Sequence, residues 1–131
     1  MKATGIFKVT SWDEKPCEGW RGIKVTRASV TQTVSGNIEG EARVEYLMTY
    51  CNDGSATYLV TLRVAGKLDG RSGSFVAEGK GGYADGSANC NFSVVPGAGS
   101  GELAGLRGTG SFSAKHAEYP NVPFTLDYHF E

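Results

Sequence analysis

The residues of this sequence that could do chemistry are phenols, one amide and one imidazole. In a β-strand, alternate side chains point to opposite faces, and the positions on the apolar face are expected to point inward. The polar or aromatic side chains at such inward positions are Gln32, Tyr46, Tyr50, Tyr58, His116 and Tyr128. An imidazole can act as acid or base near neutral pH, so His116 is the catalytic candidate. Together these groups would orient a mostly apolar ligand in a small cavity. Each tyrosine could equally be a core residue whose hydroxyl bonds locally.

The cysteines and histidines do not form a metal-binding or redox pattern. Cys17, Cys51 and Cys90 are odd in number and share no short spacing, which argues against a disulfide framework and against a Cys-x-x-Cys site. His129 falls on the outward parity of its strand, away from His116. We therefore expect reduced thiols, no metal and no cofactor.

One glycine-rich segment matches the residue pattern of a dinucleotide-binding motif but lacks the structural context that the motif requires. Residues 99–104 read G-x-G-x-x-A. A dinucleotide site needs a helix that begins at the motif and a parallel strand after it. Gly105, Gly108 and Gly110 would break that helix. We expect a turn or a cap on the end of a barrel, and no G-x-S-x-G nucleophile motif is present.

The elements that must position these side chains are strands joined by tight turns. Asp-Gly occurs at positions 53–54, 69–70 and 85–86, at steps of 16 residues, and Asn37 lies one further step upstream. Asp-Gly is a strong signal for a two-residue hairpin, because Gly tolerates positive φ and Asp can bond the adjacent backbone. This spacing predicts an antiparallel meander.

Eight strands follow from alternation and turn residues, and no long helix fits. They are predicted at about residues 2–12, 23–36, 40–52, 56–68, 72–83, 87–95, 108–116 and 123–131. An even number of long strands places the first and last antiparallel, and their pairing removes both open edges. We predict one all-β domain over residues 1–131: an eight-stranded antiparallel up-and-down barrel of calycin or lipocalin appearance. Such an interior is either filled by side chains or holds one small ligand.

One end of this barrel is predicted to carry the opening. The connections after strands one, three, five and seven all emerge there, including long loops at residues 13–22 and 117–122. Trp12 flanks the first loop and Trp20 lies in it. Because long loops with aromatic residues often form lids, both tryptophans are ligand-binding candidates at the mouth.

Charge and composition exclude several partners. The chain has 131 residues, 13 Lys and Arg against 14 Asp and Glu, and a net charge of −1. The basic excess that drives nucleic-acid binding is missing. The sequence has no apolar leader at its start and no run near the ~18 apolar residues of a membrane span. We expect a cytoplasmic protein without nucleic-acid or membrane partners.

Five segments carry a resemblance to a known family. They are residues 12–14, 26–32, 45–48, 68–75 and 101–108. Over nearly its whole length the chain resembles the bacterial domain of unknown function 3224 family, whose fold is similar to the allene oxide cyclase barrel. The resemblance implies an eight-stranded antiparallel barrel, often self-associating, with no established activity.

The chain departs from that family's pattern at two inward positions. The resemblance implies a Glu before Arg63 and a His at position 79, where this chain has Leu62 and Gly79. A shared polar pair is thus absent, which weakens an acid–base mechanism and predicts a more apolar, roomier interior.

Three functions are compatible with these observations, and whether the protein is an enzyme stays open. The first is binding of a small, largely apolar molecule in the barrel, with Trp12 and Trp20 at the mouth and tyrosines 46, 50, 58 and 128 on the wall. The second is a cyclase or isomerase that holds a reactive substrate in one conformer while His116 or a Tyr moves a proton. The third is a solid barrel with a structural or homo-oligomeric role. The volume of the interior separates the third from the others.

Overall fold

The computed structural model describes residues 1–17 and 19–131 and is built almost entirely of β-strands. The strands are β1 (Lys2–Pro16), β2 (Lys24–Gly36), β3 (Ile38–Tyr50), β4 (Ala56–Leu68), β5 (Arg71–Ala84), β6 (Ser87–Val94), β7 (Ser100–Gly101), β8 (Leu106–Lys115) and β9 (Asn121–Phe130). A single 3-10 turn, η1 (His116–Glu118), precedes β9. Within the described ranges, no helix is long and apolar enough to cross a membrane.

Eight of these strands form a closed antiparallel barrel, as predicted. Around the barrel the order is β1, β2, β3, β4, β5, β6, β8 and β9. Pairing of β9 with β1, from Lys2 opposite Asp127 to Lys8 opposite Asn121, closes the ring. The two-residue β7 is an addition that pairs only with β5.

Two of the three Asp-Gly pairs form the expected tight turns. Asp69 and Asp85 have φ of 47° and 53°, and the glycine after each is also positive. Positive φ at both central residues is the type I′ geometry that matches the twist of a hairpin. Asp53 instead lies in the longer loop between β3 and β4, where it accepts hydrogen bonds from the backbone N–H and the hydroxyl of Ser55.

β1 is longer than predicted and contains a bulge. Val9 pairs with Gln32 and Ser11 pairs with Thr31, so Thr10 is an extra residue in the ladder. Pairing then continues to Pro16, where the sequence predicted a loop from residue 13. The reason is that a bulge shifts the alternation of inward and outward side chains by one residue. Inward side chains lie at odd positions up to residue 9 and at even positions after the bulge, so a continuous alternating pattern ends at residue 9.

The barrel is filled at one end only. The largest fully buried side chains include Leu62, Leu68, Leu103 and Leu126. Leu103 comes from the segment between β6 and β8, which contains the glycine motif and closes this end as the predicted cap. Here Gly40 of β3 pairs with Gly66 of the neighbouring β4, and a Cβ on Gly66 would lie 2.0 Å from the Glu39 carbonyl oxygen, so the backbone at this pair has no room for a side chain. This packed half supplies a hydrophobic core and leaves the other half free.

Candidate functional site

A cavity of about 360 Å³ lies at the end of the barrel where β1, β3, β5 and β8 finish. This is the end where the sequence predicted an opening, and the volume is in the range of small-molecule pockets. Six of the eight residues proposed from the sequence line it: Trp12, Gln32, Tyr46, Tyr50, Tyr58 and His116. Trp12, Gln32, Tyr46, Tyr50 and Tyr58 lie on β1 to β4, and His116 joins them from η1, which follows β8.

The other two proposed residues lie elsewhere. Trp20 is 71% exposed in the loop between β1 and β2, where it bridges to Ile23, and it does not line the cavity. Tyr128 points inward as its parity predicted, but it lies near the opposite end of β9, where its hydroxyl donates to Asp69. Parity identifies the face of a strand and not the depth along it, which explains the misplacement of Tyr128.

Three aromatic rings form one wall of the cavity. Trp12 stacks on Tyr46 with ring centroids 5.5 Å apart, and Tyr58 meets Tyr46 edge-on at 5.2 Å. Such pairs add specific geometry to the hydrophobic contact. Burial raises the pKa of both tyrosines far above the usual range, with smaller contributions from neighbouring groups. These phenols therefore stay neutral and act as surface and hydrogen-bonding groups.

Glu14 is a cavity residue that the sequence analysis missed. The bulge at Thr10 turns Trp12 and Glu14 inward together. The Glu14 carboxylate accepts hydrogen bonds from Trp12 Nε1 at 3.0 Å, from Thr26 Oγ1 at 2.6 Å and from the Tyr50 hydroxyl. The signal in the sequence was the Trp12-Asp13-Glu14 segment itself, but only the bulge shows which of its side chains face inward.

In the hydrogen bond between Tyr50 and Glu14, the proton belongs to the tyrosine hydroxyl. Burial raises the pKa of Glu14, but its hydrogen bonds and the nearby Lys24 lower it more, so the net pKa lies below its ordinary value. Burial and the hydrogen bond to Glu14 raise the pKa of Tyr50. The proton therefore stays on the phenol, and an ionised carboxylate lies in the cavity wall at neutral pH.

Two buried polar atoms in the cavity walls lack a hydrogen-bond partner among the described residues. They are Gln32 Oε1 and the Tyr58 hydroxyl, on side chains only 5% and 4% exposed. Buried polar groups are nearly always paired in folded proteins. Both residues line the cavity through other atoms, because the two unpartnered atoms have almost no surface of their own that a water molecule can reach.

The rim carries further residues that the sequence analysis did not select. Tyr83 and Tyr119 line the cavity and are 38% and 59% exposed. His116 is exposed and begins η1 beside them. Tyr83 continues the inward parity of Phe75 and Ala77 along β5, so extending that parity to the end of the strand would have found it.

Little in the cavity suits metal or thiol chemistry. Within residues 1–17 and 19–131, no group of three or more His, Cys, Asp or Glu side chains is placed to hold a metal ion. Cys90 is buried near Tyr58, and burial raises the pKa of its thiol to about 12. A thiol that stays protonated is a poor nucleophile. The absence of a metal and of a cofactor remains a prediction.

Comparison with known proteins identifies a family without a described activity. Residues 3–128 match the family described as "Protein of unknown function (DUF3224)". A crystal structure of a protein of unknown function from the same family, from Shewanella oneidensis MR-1, superposes with a TM-score of 0.80. The two sequences are 32% identical, and the alignment covers 100% of this chain and 98% of the other. No curated protein matches this sequence.

Proposed function

The chain belongs to the DUF3224 family, whose function is unknown, and we propose from its own geometry that it binds a small, largely apolar molecule inside the barrel. The observation that carries this proposal is the cavity of about 360 Å³ at the open end of the barrel, lined mainly by aromatic and aliphatic side chains.

The lining favours an apolar occupant. The rings of Trp12, Tyr46 and Tyr58 supply apolar contact area. Affinity would come mainly from this apolar contact, and orientation from the polar groups of Glu14 and Tyr50, which also line the cavity.

The alternatives have less support. A filled, purely structural barrel is at odds with a cavity of about 360 Å³. The cyclase or isomerase hypothesis needs a group that exchanges protons near neutral pH. Tyr46, Tyr50 and Tyr58 have raised pKa values and Glu14 a lowered one, and His116 lies exposed on the rim. Binding requires none of these groups to change charge.

A cavity-filling variant tests the proposal. Ala114 lines the cavity, and the next residue, Lys115, lies on the opposite parity of β8 and is exposed. We expect the neutral probe N-phenyl-1-naphthylamine to bind the wild-type protein and to bind Ala114→Trp about tenfold or more weakly, because the indole occupies the cavity. Fluorescence titration measures both affinities.

Lys115→Trp is the matched control, since it adds the same indole on the outside. Its affinity for the probe should equal that of the wild type, and thermal melting should show all three proteins folded. If the probe fails to bind the wild type, or binds Ala114→Trp as tightly, the barrel interior is not the binding site.

Two further expectations accompany this function as proposals. A cytoplasmic location is consistent with three free cysteines, since the cytosol keeps thiols reduced. Self-association would use an apolar pair on the outer face, Leu47 of β3 opposite Leu59 of β4, which are 46% and 58% exposed. Native mass spectrometry reports the number of subunits and any bound molecule together.

A further inference from the structure

We infer that the ligand of this cavity is an organic cation, a protonated amine on an apolar body, whose ammonium lies at the mouth beside Glu14. The inference rests on the proposed function and names the class of molecule that the cavity takes. Three observations carry it: the charges of the lining, the aromatic rings at the mouth and the acceptor site left free on the Glu14 carboxylate.

The charge on the described lining of the cavity is negative. Among the described residues that line the cavity, Glu14 is the one carboxylate, and none is Lys or Arg. Lys24, whose charge helps to lower the pKa of Glu14, lies over the Tyr50 ring at 4.9 Å and is not part of the lining. A carboxylate ligand would meet repulsion from Glu14, whereas an ammonium would be attracted.

The mouth is rich in aromatic faces. Trp12 and Tyr50 flank the Glu14 carboxylate, and Tyr83 and Tyr119 lie on the rim. Aromatic faces attract cations, and ammonium groups are commonly recognised by several rings together. Lys24 already occupies one face of Tyr50 in this way. The carboxylate and the rings thus favour the same charge.

The carboxylate has room for one more donor. Glu14 accepts three hydrogen bonds, from Trp12, Thr26 and Tyr50. An ionised carboxylate offers about four acceptor sites, so an ammonium N–H can still bind. These three bonds also hold the carboxylate in place before the ligand arrives, which lowers the cost of ordering it.

Three probes on one skeleton test the charge. 4-Phenylbutylamine, 4-phenylbutan-1-ol and 4-phenylbutanoate are a cation, a neutral molecule and an anion at pH 7. By isothermal titration we expect the amine to bind about five- to thirtyfold more tightly than the alcohol, and the anion to bind most weakly. Raising the salt concentration should reduce the preference for the amine and leave the alcohol unchanged.

The Glu14→Gln variant locates the effect. It should remove the preference for the amine and keep the affinity for the alcohol, whereas Glu118→Gln, in the exposed η1 at the same end, should change neither. The salt dependence of the wild type tests the charge even if Glu14→Gln does not fold. Equal or tighter binding of the alcohol in the wild type overturns the inference and leaves the proposed function standing. If no probe and no neutral dye binds, both fail.

Discussion

The side chains of Tyr58 and Tyr128 show how residues with the same inward parity serve different purposes. Tyr128 satisfies its hydroxyl with Asp69 at the packed end, while the Tyr58 hydroxyl is buried without a partner in the described structure. Both pKa values are raised, first by burial, and that of Tyr128 reaches about 12. The Tyr128 hydroxyl therefore stabilises the fold, whereas the Tyr58 hydroxyl makes no hydrogen bond within the described structure.

A matched pair of substitutions separates the two roles. Tyr58→Phe should leave the free energy of unfolding of the ligand-free protein unchanged or raise it by up to about 1 kcal/mol, because it removes an unpaired polar group. Tyr128→Phe should lower it by about 1 kcal/mol or more, because it leaves Asp69 without its phenol donor. Urea unfolding followed by circular dichroism measures both. A loss of stability in Tyr58→Phe as large as in Tyr128→Phe would show that the Tyr58 hydroxyl has a structural partner.

At the scale of elements, the bulge in β1 decides the chemistry of the mouth. Below Thr10 the inward residues are Phe7 and Val9, and above it they are Trp12 and Glu14. The extra residue is on β1 only. Val9 pairs with Gln32 and Ser11 pairs with Thr31, so the ladder on β2 continues without a gap. The strand therefore continues past the point where its alternation breaks.

Deletion of Thr10 should accordingly be tolerated. Without it, Val9 and Ser11 become neighbours in a regular ladder, and Trp12 and Glu14 still face inward. We expect a folded barrel that loses about 1–2 kcal/mol, including the hydrogen bonds between Thr10 and Thr31. Thermal melting and probe binding check this.

Deletion of Thr61 in the regular part of β4 is the contrasting control. It would turn Leu62 and Val64, both buried, to the outer face. That protein should not fold into a soluble barrel. Equal behaviour of the two deletions would mean that the bulge does not act as an extra residue.

At the scale of the whole molecule, the barrel divides stability and binding between its two ends. Leu103, between β6 and β8, and Leu106, the first residue of β8, are buried at the packed end, while the cavity lies at the end of the long loops. The closed sheet supports both ends, because each of its eight strands is hydrogen-bonded to a neighbour on either side. Changes at the packed end should thus alter stability and leave the cavity intact.

Truncation of the cap tests that division. Leu103→Ala should lower the free energy of unfolding by about 2–5 kcal/mol, as expected for a fully buried leucine. The affinity for N-phenyl-1-naphthylamine should stay within about twofold at a temperature where the protein is folded. Leu47→Ala, on the outer face, should change stability by no more than about 0.5 kcal/mol. A loss of probe affinity in Leu103→Ala would mean that the two ends are coupled.

Local patterns in the sequence were sufficient to predict the barrel and the end that carries the mouth. Alternation with a period of two identified the strands, turn residues placed their ends, and the even number of strands placed the first and last antiparallel, ready to pair. Gln32, Tyr46, Tyr50, Tyr58 and His116 followed from parity, and Trp12 followed from its position beside the predicted mouth.

Only the tertiary structure decided what the cavity contains and how large it is. The inward position of Glu14 depends on a bulge that is visible only from the pairing of β1 with β2. The partner of the Tyr128 hydroxyl is Asp69, 59 positions away in the sequence. The open half exists because Leu103 and its neighbours fill the opposite end, which is a matter of volumes brought together from distant segments. Periodicity assigns a side chain to a face, and packing across strands decides what that face encloses.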